Sequence, residues 1–352
     1  MGVESTSHTF GVGIVELSEG RVRVLSSASS QYRPERGGIH PREAANHHVN
    51  AAPKVLGKAL AQSGLRPNEI DALAVALGPG LGPCIRVGAT LARFLSSYLE
   101  RPLIPVNHAV AHVEIGKLVT GLRDPLIVYI SGGNTMLLVQ KDGRYRVFGE
   151  TLDIPLGNLL DTFAREIGIA PPYVVEGKHA VDVCAEWANE FVELPYTIKG
   201  TDLSFSGLLT AALSAAKKAK RDRQGLGSVC ASLRETAFTM LVEAAERVML
   251  ATGKREVLVV GGVAANRLLY EKFASMVRLH NAELGVTPPE YAGDNGVMIA
   301  YTGALGYAYG IVARPEEAFV RQRWRVDEVQ LPWLGGTSQG FAPGREDEPH
   351  QH

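Results

Sequence analysis

The chain has 352 residues, of which 45% are apolar and 21% charged, a composition typical of globular proteins. This length exceeds one ordinary core, so we expect two lobes with a cleft between them. No apolar run reaches the ~18 residues of a membrane span, and the start of the chain lacks a signal-peptide pattern, so a cytoplasmic protein is expected. The formal net charge of −1 gives no global positive field, so a nucleic-acid substrate would need a local basic patch or a basic partner.

Two stretches of the chain, Gly2 to Ser26 and Leu126 to Glu150, share one pattern. Each has an apolar strand, a short polar turn, and two further strands joined by an acidic residue followed by glycine. The repetition predicts two duplicated lobes, 1–122 and 123–335, the second with a helical insertion at about 154–225. The tail 336–352 is polar and rich in Gly and Pro, so it is expected to be disordered.

Each half also contains a strand that runs into a glycine-rich turn and then a helix: ALAVALGPGLGP in the first, EVLVVGGVAANRLL in the second. Such turns present backbone N–H groups and the positive end of a helix dipole to an anion. One such turn is as typical of a tight connection as of a ligand site, but their recurrence in matched halves favours a nucleotide between the lobes. We interpret the basic run Lys217 to Arg223 as a solvated helix end rather than an RNA contact.

A pair of histidines follows the apolar strand RPLIPV. Asn107 is placed to cap a helix, so His108 and His112 share one face of it. Two imidazoles one turn apart suit a divalent metal, although such pairs also arise by chance. Position 109 is Ala, so the general base of HExxH metalloproteases is absent. We place a third ligand at Asp294, before the helix that corresponds in the second half; the alternative for this residue is a simple N-cap.

Two other sets of residues are assigned no part in the chemistry. His40, His47 and His48 resemble a second cluster, but Pro41 interrupts the spacing and no carboxylate completes a site, so we interpret them as local structural or rim residues. The cysteines are odd in number and widely spaced, which predicts buried or incidental thiols rather than a disulfide framework. They are Cys84, Cys184 and Cys230.

The order of motifs along the chain is specific. They are VESTSHTFGVGIV, GGIHPREAANHH, GPGLGPCIRVG, NHAVAH, YISGGNT, LGNLLDTFARE, LSFSGLLTAA, GGVAANRLL and GDNGVMIAY. Over roughly Gly2 to Gly335 the chain resembles the universal (TsaD-like) family of tRNA threonylcarbamoyladenosine synthesis proteins. Leu209 stands where the bacterial form has Lys, so the chain is similar to the archaeal and eukaryotic branch, the catalytic subunit of the KEOPS complex.

The resemblance implies an α/β fold of two duplicated lobes, like actin, Hsp70 and sugar kinases (ASKHA), with central mixed sheets flanked by helices. It also implies transfer of a threonylcarbamoyl group from threonylcarbamoyl-AMP to N6 of adenosine 37, in tRNAs that read codons beginning with A. Expected partners are tRNA and KEOPS subunits, including a separate small protein kinase and a small dimerising subunit, because no kinase follows here. The family's first strand begins earlier, so Met1 truncates it or marks a misassigned start. A metal-dependent glycoprotein endopeptidase and a non-catalytic actin-like ATP-binding switch remain as alternatives.

The resemblance further implies one divalent metal ion, taken as iron with zinc or manganese as alternatives, and an adenine nucleotide or threonylcarbamoyl-AMP as ligand. The family's motif PGGPxIE is replaced here by PPYVVEGKHAVD, where we place two contacts. No general base is assigned; His8 is considered, but an inert turn residue is preferred. The implied metal ligands are His108, His112, Asp294 and the phenol oxygen of Tyr129. The implied nucleotide contacts are Tyr129, Ile130, Ser131, Gly132 and Gly133 for the phosphates, Asp161, Lys178 and Asp182 for the ribose side, and Asn266 near the nucleoside.

Overall fold

Two five-stranded mixed sheets organise the chain. The computed structural model describes residues 1–18, 20–34, 38–169, 178–219 and 222–335. The tail 336–352, for which disorder is predicted, lies outside the described residues, as do Lys220 and Arg221 of the basic run and residues 171–177 of the divergent motif.

The first sheet has the strand order β3-β2-β1-β4-β5. Strand β1 pairs antiparallel with β2 and parallel with β4, so it lies at the centre. The elements of this half are β1 (Gly2–Glu4), β2 (Thr9–Ser18), β3 (Arg21–Gln31), α1 (Pro41–Ser63), β4 (Leu73–Gly78), α2 (Gly82–Leu99), β5 (Leu103–Asn107) and α3 (His108–Thr120).

The second sheet repeats this plan, with strand order β12-β11-β6-β7-β8. Its elements are β6 (Leu126–Ile130), β7 (Thr135–Lys141), β8 (Arg144–Glu150), α4 (Leu156–Ile167), α5 (Ala180–Ala185), β9 (Ile198–Lys199), β10 (Asp202–Leu203), α6 (Ser206–Ala219), α7 (Arg223–Thr252), β11 (Glu256–Val260), α8 (Arg267–Leu279), β12 (Glu283–Val286), α9 (Pro289–Ala292) and α10 (Gly296–Ala308). Read from the other edge, β8-β7-β6-β11-β12 matches the first sheet strand for strand, so the predicted duplication is confirmed. Most of the extra elements lie between β8 and β11, and the short helix α9 lies between β12 and α10.

Continuous apolar runs form the central strands. All residues of LAVALG in β4 and of LIVYI in β6 are buried, as expected for strands covered on both faces. Helices α1 and α2 cover the outer face of the first sheet, and α4 to α8 cover that of the second. Helices α3 and α10 fill the space between the sheets.

Each of these two inner helices packs against the sheet of the other half of the chain. Helix α3 follows the first sheet but packs against β6, β11 and β12, and α10 follows the second sheet but packs against β1, β2 and β4. The backbones approach closely, since a Cβ added to Gly296 would lie 2.2 Å from the nitrogen of Gly13. Because α3 and α10 also pack on each other, their N-terminal ends meet between the two sheets.

The C-terminal segment 309–335 crosses both halves. The Arg321 N–H donates to Leu77 O at 2.7 Å, beside the first sheet, and the Leu331 N–H donates to Gly143 O at 2.8 Å, beside the second. Segment 309–335 therefore provides a second connection between the two halves. Within the described part of the chain, no helix combines the length and apolar character that a bilayer crossing requires.

The cysteine prediction is wrong for two of the three residues. Cys184 on α5 and Cys230 on α7 form a disulfide, with their Cα atoms 5.9 Å apart. Cysteines 46 residues apart in sequence meet because α5 packs along α7, a contact that cysteine spacing does not reveal. Cys84 is a buried free thiol as predicted, and burial raises its pKa to about 11.

Candidate metal centre and phosphate-binding turn

The start of α3 places the two histidines. The Asn107 side chain accepts hydrogen bonds from the backbone N–H of Ala109 at 3.0 Å and of Val110 at 3.2 Å, so the predicted N-cap is confirmed. His108 and His112 follow one turn apart, with ring centroids 4.7 Å apart, and both are buried. The helix thus presents two imidazoles to the space between the sheets.

Asp294 reaches the same space from the start of α10. Its Oδ1 lies 3.4 Å from His108 Nε2 and 3.2 Å from His112 Nε2. The cap of α10 is the next residue, Asn295, whose side chain accepts from the Met298 N–H at 2.9 Å. The alternative interpretation of Asp294 as a simple N-cap is therefore wrong, and its carboxylate is free to face the histidines.

The ionisable groups of this cluster change one another's pKa. Burial opposes a charge on His108, but the carboxylates of Glu4 and Asp294 outweigh it and raise the pKa of this imidazole to about 9. Burial is the main cause that lowers the pKa of His112. Burial of Asp294 favours its neutral form, yet His108 and His112 together hold the pKa of that carboxyl below its usual range. At neutral pH the metal-free cluster therefore holds an ionised carboxylate, a charged His108 and a neutral His112.

Tyr129 lies next to the cluster, at the end of β6. Its side chain is fully buried and its ring centroid lies 5.3 Å from that of His112. The phenol oxygen accepts a long hydrogen bond of 3.5 Å from Asn134 Nδ2. Burial, aided by Asp294, raises the pKa of Tyr129 well above its usual range, so the phenol is neutral in the absence of a strong electrophile.

The donor set fits a divalent metal ion. One ligand atom from each of His108, His112 and Asp294 lies within 4.8 Å of the others, and no other His, Cys, Asp and Glu residues form such a group in the part of the chain that the structure describes. Two imidazole nitrogens and a carboxylate oxygen suit first-row divalent ions such as iron, zinc and manganese. The residues present therefore fit the ion that the resemblance implies.

The other histidines near the first sheet have structural contacts. His47 Nε2 lies 3.0 Å from Ser30 Oγ, and the buried His48 donates from Nε2 to Ser7 O at 2.9 Å. His48 thus fixes the turn after β1, whereas His40 is exposed at the start of α1. His8 is half-buried and adds to the positive charge that lowers the pKa of Asp294.

The turn after β6 is open. Ile130 is buried at the end of the strand, and Ser131 Oγ accepts from the N–H of Gly133 at 3.3 Å and of Asn134 at 3.0 Å. A Cβ added to Gly132 or Gly133 would meet no atom of the described residues within 4 Å. Because this turn begins two residues after Tyr129, it provides open space next to the metal cluster, as a phosphate group requires.

The remaining nucleotide candidates lie in a polar network on the second half. Asp182 accepts from Arg234 Nη1 at 2.8 Å and from Asn266 Nδ2 at 2.9 Å. His179 donates from Nε2 to Asp161 at 3.0 Å, and its backbone N–H donates to Asp182 at 3.3 Å. The structure thus connects Asp161, Asp182 and Asn266 as neighbours.

Lys178 stands apart from this network. Its ammonium pairs with Glu186 at 2.5 Å, and the side chain is 60% exposed. Sequence reasoning missed His179, Arg234 and Glu4, the buried carboxylate beside His108. Only Glu4 gave a sequence signal, since an acidic residue ends the otherwise apolar first strand.

Comparisons with known proteins agree on one family. The family TsaD, described as tRNA N6-adenosine threonylcarbamoyltransferase, matches residues 23–301. A protein of that name from Staphylothermus marinus is 64% identical over 95% of this chain and 99% of its own length. A protein of the same name from Sulfurisphaera tokodaii is 52% identical over 95% of this chain and 98% of its own length.

Among solved structures, HypF from T. kodakarensis superposes with a TM-score of 0.60 at 15% identity, over 90% of this chain and 49% of that one. At this identity the likeness shows the fold alone. Together with the duplicated sheets, it confirms the predicted actin-like, Hsp70-like and sugar-kinase-like architecture.

Proposed function

Because the chain belongs to the TsaD family of tRNA N6-adenosine threonylcarbamoyltransferases, in its archaeal branch, it acylates a tRNA adenosine, and we propose how its residues do so. His108, His112 and Asp294, joined by the phenol of Tyr129, hold one divalent metal ion, which we take to be iron. The observation that carries the proposal is the convergence of these side chains from both halves beside an open glycine turn.

The donor is threonylcarbamoyl-AMP. The residues Tyr129 to Gly133 hold its phosphate, Asp161 and Asp182 hold the ribose side with Lys178 at the rim, and Asn266 lies near the adenine. Two features support this arrangement: the room beside Gly132 and Gly133, and the hydrogen bonds that link Asp182 to Asn266 and to Arg234. Those bonds fix Asp182 before any ligand arrives, which favours preorganised binding.

The acceptor is N6 of adenosine 37 in tRNAs that read codons beginning with A. The amine nitrogen bonds to the carbamoyl carbon, the bond from that carbon to the phosphate oxygen breaks, and AMP and a proton leave. When bound, the metal ion would supply Lewis-acid activation and a template for donor oxygens. The target base lies in a single-stranded loop, where it can be unstacked at modest cost.

Partners complete the activity. The net charge of −1 gives the chain no strong general attraction for tRNA. We therefore propose that it works in the cytoplasm within a KEOPS complex, with a separate small protein kinase and a small dimerising subunit that add RNA-binding surface. Family membership makes the chain a transferase, so the endopeptidase and the non-catalytic switch are not needed to account for its site.

The test is transfer of radiolabelled threonylcarbamoyl from threonylcarbamoyl-AMP to tRNA by the full chain mixed with those subunits. His112→Ala and Asp294→Ala should each lower the rate at least about 100-fold, since removal of a ligand removes several kcal/mol of electrostatic stabilisation. His280→Ala is the matched control: this histidine pairs with a carboxylate, Glu246, between α8 and α7, and its loss should leave the rate unchanged. Normal transfer by chelator-treated Asp294→Ala would refute the proposal.

A further inference from the structure

A buried carboxylate lies directly behind the candidate metal centre. Glu4 ends β1 and its side chain is 0% exposed. Burial of an ionised carboxylate costs several kcal/mol unless hydrogen bonds and an opposite charge compensate for it. An apolar residue could fill this position without the desolvation cost of a carboxylate. The charge at this position should therefore have a specific role.

The contacts of Glu4 show that use. Its Oε1 accepts from the Thr6 backbone N–H at 2.5 Å and from the Thr6 hydroxyl at 2.6 Å, while its Oε2 lies 2.9 Å from His108 Nδ1. A carboxylate only accepts, so His108 donates from Nδ1. One oxygen is thereby anchored to the turn, and the other holds the imidazole ring. The opposite ring nitrogen, Nε2, then faces Asp294 at 3.4 Å.

The neighbouring histidine has no such support. The buried Nδ1 of His112 has no hydrogen-bond partner among the described residues. Its ring is instead positioned by packing, with centroids 4.7 Å from His108 and 5.3 Å from Tyr129. Of the two imidazoles, only His108 is held by a carboxylate at the nitrogen that points away from the site.

Charge balance gives Glu4 a second effect. With both imidazoles and the phenol neutral, Asp294 contributes one negative charge, which leaves a divalent ion half neutralised. The Glu4 carboxylate, one hydrogen bond behind His108, adds the second. A buried centre without net charge has a smaller desolvation penalty than one that carries a charge.

We infer that Glu4 is a positioning residue for His108: its anchored carboxylate fixes the ring with Nε2 toward the site and completes the charge balance of a bound divalent cation. The inference rests on the proposed function, because it assumes that His108 is a metal ligand. Partners of this kind, behind a ligating histidine, typically change metal affinity 10-fold to 100-fold when removed.

The experiment titrates Co²⁺ into the metal-free full chain and follows its visible absorption. Glu4→Gln keeps the shape and removes the charge, so the Kd for Co²⁺ should rise about 10-fold to 100-fold. Thr6→Val keeps the shape of the turn but removes the hydroxyl, which contacts Glu4 Oε1 at 2.6 Å and His108 Nδ1 at 3.1 Å, so a smaller rise in Kd, about threefold to tenfold, is expected. Circular dichroism establishes that each variant is folded.

The matched control is Glu114→Gln. Glu114 is another buried carboxylate, on α3 itself, but its partner is the Tyr145 hydroxyl and not a metal-site residue. Its variant should bind Co²⁺ within about twofold of the wild type, which separates positioning from a general effect of losing a buried charge. Wild-type affinity in Glu4→Gln overturns the inference alone, and if that variant fails to fold, wild-type affinity in Thr6→Val overturns it. A wild-type chain that binds no Co²⁺ overturns the proposed metal site as well.

Discussion

Two glycine turns, the one after β4 in the first half and the one after β6 in the second, differ in what surrounds them. In the first half, a Cβ on Gly78 would lie 1.9 Å from Arg321 O, and one on Gly80 would lie 2.5 Å from Thr6 O. In the second half, a Cβ on Gly132 or Gly133 would meet nothing within 4 Å among the described residues. The first turn is filled by the protein's own chain, and the second is open.

The difference shows that one glycine turn can serve close backbone packing while another leaves open space; the turn after β11, which corresponds to the one after β4, is also packed, since a Cβ on Gly261 would lie 2.3 Å from Ile130 O. The C-terminal segment returns to the first half, where the Arg321 N–H donates to Leu77 O at 2.7 Å and the Arg321 carbonyl lies against Gly78. Glycine there allows two stretches of backbone to pack closely. The glycine pattern alone therefore predicts a place for close approach, and the rest of the fold determines whether backbone or phosphate fills it.

Replacement of a glycine in the closed turn tests the comparison most severely. Gly78→Ala adds a Cβ against backbone at a φ of +145°, so we expect a loss of about 4 kcal/mol in the free energy of unfolding from strain and overpacking together. Gly132→Ala, in the open turn, should change it by less than about 0.5 kcal/mol. Guanidinium unfolding of both variants measures this, and equal stabilities would abolish the distinction.

The disulfide gives a second test that concerns one half alone, because it joins α5 and α7, which cover the outer face of the second sheet. Cys184→Ala with Cys230→Ala should lower the free energy of unfolding by about 2–3 kcal/mol, since the cross-link restricts the unfolded chain. A reducing agent should have a similar effect on the wild type and none on the double variant. A double variant as stable as the oxidised wild type would show that the cross-link contributes nothing.

A large side chain in the open turn should affect ligand binding rather than folding. Gly132→Leu would extend into the space assigned to the phosphate, so the Kd for AMP or ATP should rise at least tenfold, about 1.4 kcal/mol. Isothermal titration calorimetry measures the affinity, and denaturation should show wild-type stability. Unchanged affinity would place the nucleotide elsewhere.

Metal binding at the centre formed by His108, His112 and Asp294 should depend on pH. His108 has a pKa of about 9 in the metal-free protein, so below that pH an entering ion must displace its proton. Affinity should therefore rise up to tenfold per pH unit from pH 7 and level off above about 9. The folding stability of the metal-free protein changes with pH in the opposite direction to its metal affinity. The stabilisation that charged His108 contributes is fully present below the usual histidine pKa of about 6.5 and is lost as the pH rises through 9. A metal affinity independent of pH between 7 and 9 would contradict the assignment of His108.

Much of the fold could be predicted from local pattern. The repeat of strand, polar turn and hairpin gave the duplication, because alternation and turn residues are encoded over short distances. The exchange of α3 and α10 between the sheets could not be predicted, since it depends on close contacts such as that of Gly296 with Gly13. The pairing of Cys184 with Cys230 was missed for the same reason: contact between α5 and α7 is a tertiary property.

For the site, spacing on one helix predicted that His108 and His112 share a face, and correspondence between the halves placed Asp294 opposite them. The residues behind the site were harder to predict. Arg234 and His179 support Asp182 and Asp161 through long-range hydrogen bonds, and no short motif specifies such pairs. The supporting side chains therefore had to be found in the structure.

The central claim is that residues from both halves hold a single ion. Elemental analysis and calorimetric titration of the full chain with Fe²⁺, under anaerobic conditions, test it directly when the wild type is compared with Asp294→Ala. We predict one ion per wild-type chain and an affinity at least 100-fold lower in the variant, since a carboxylate ligand is lost from a buried site. Equal stoichiometry and affinity in the two proteins would contradict the account.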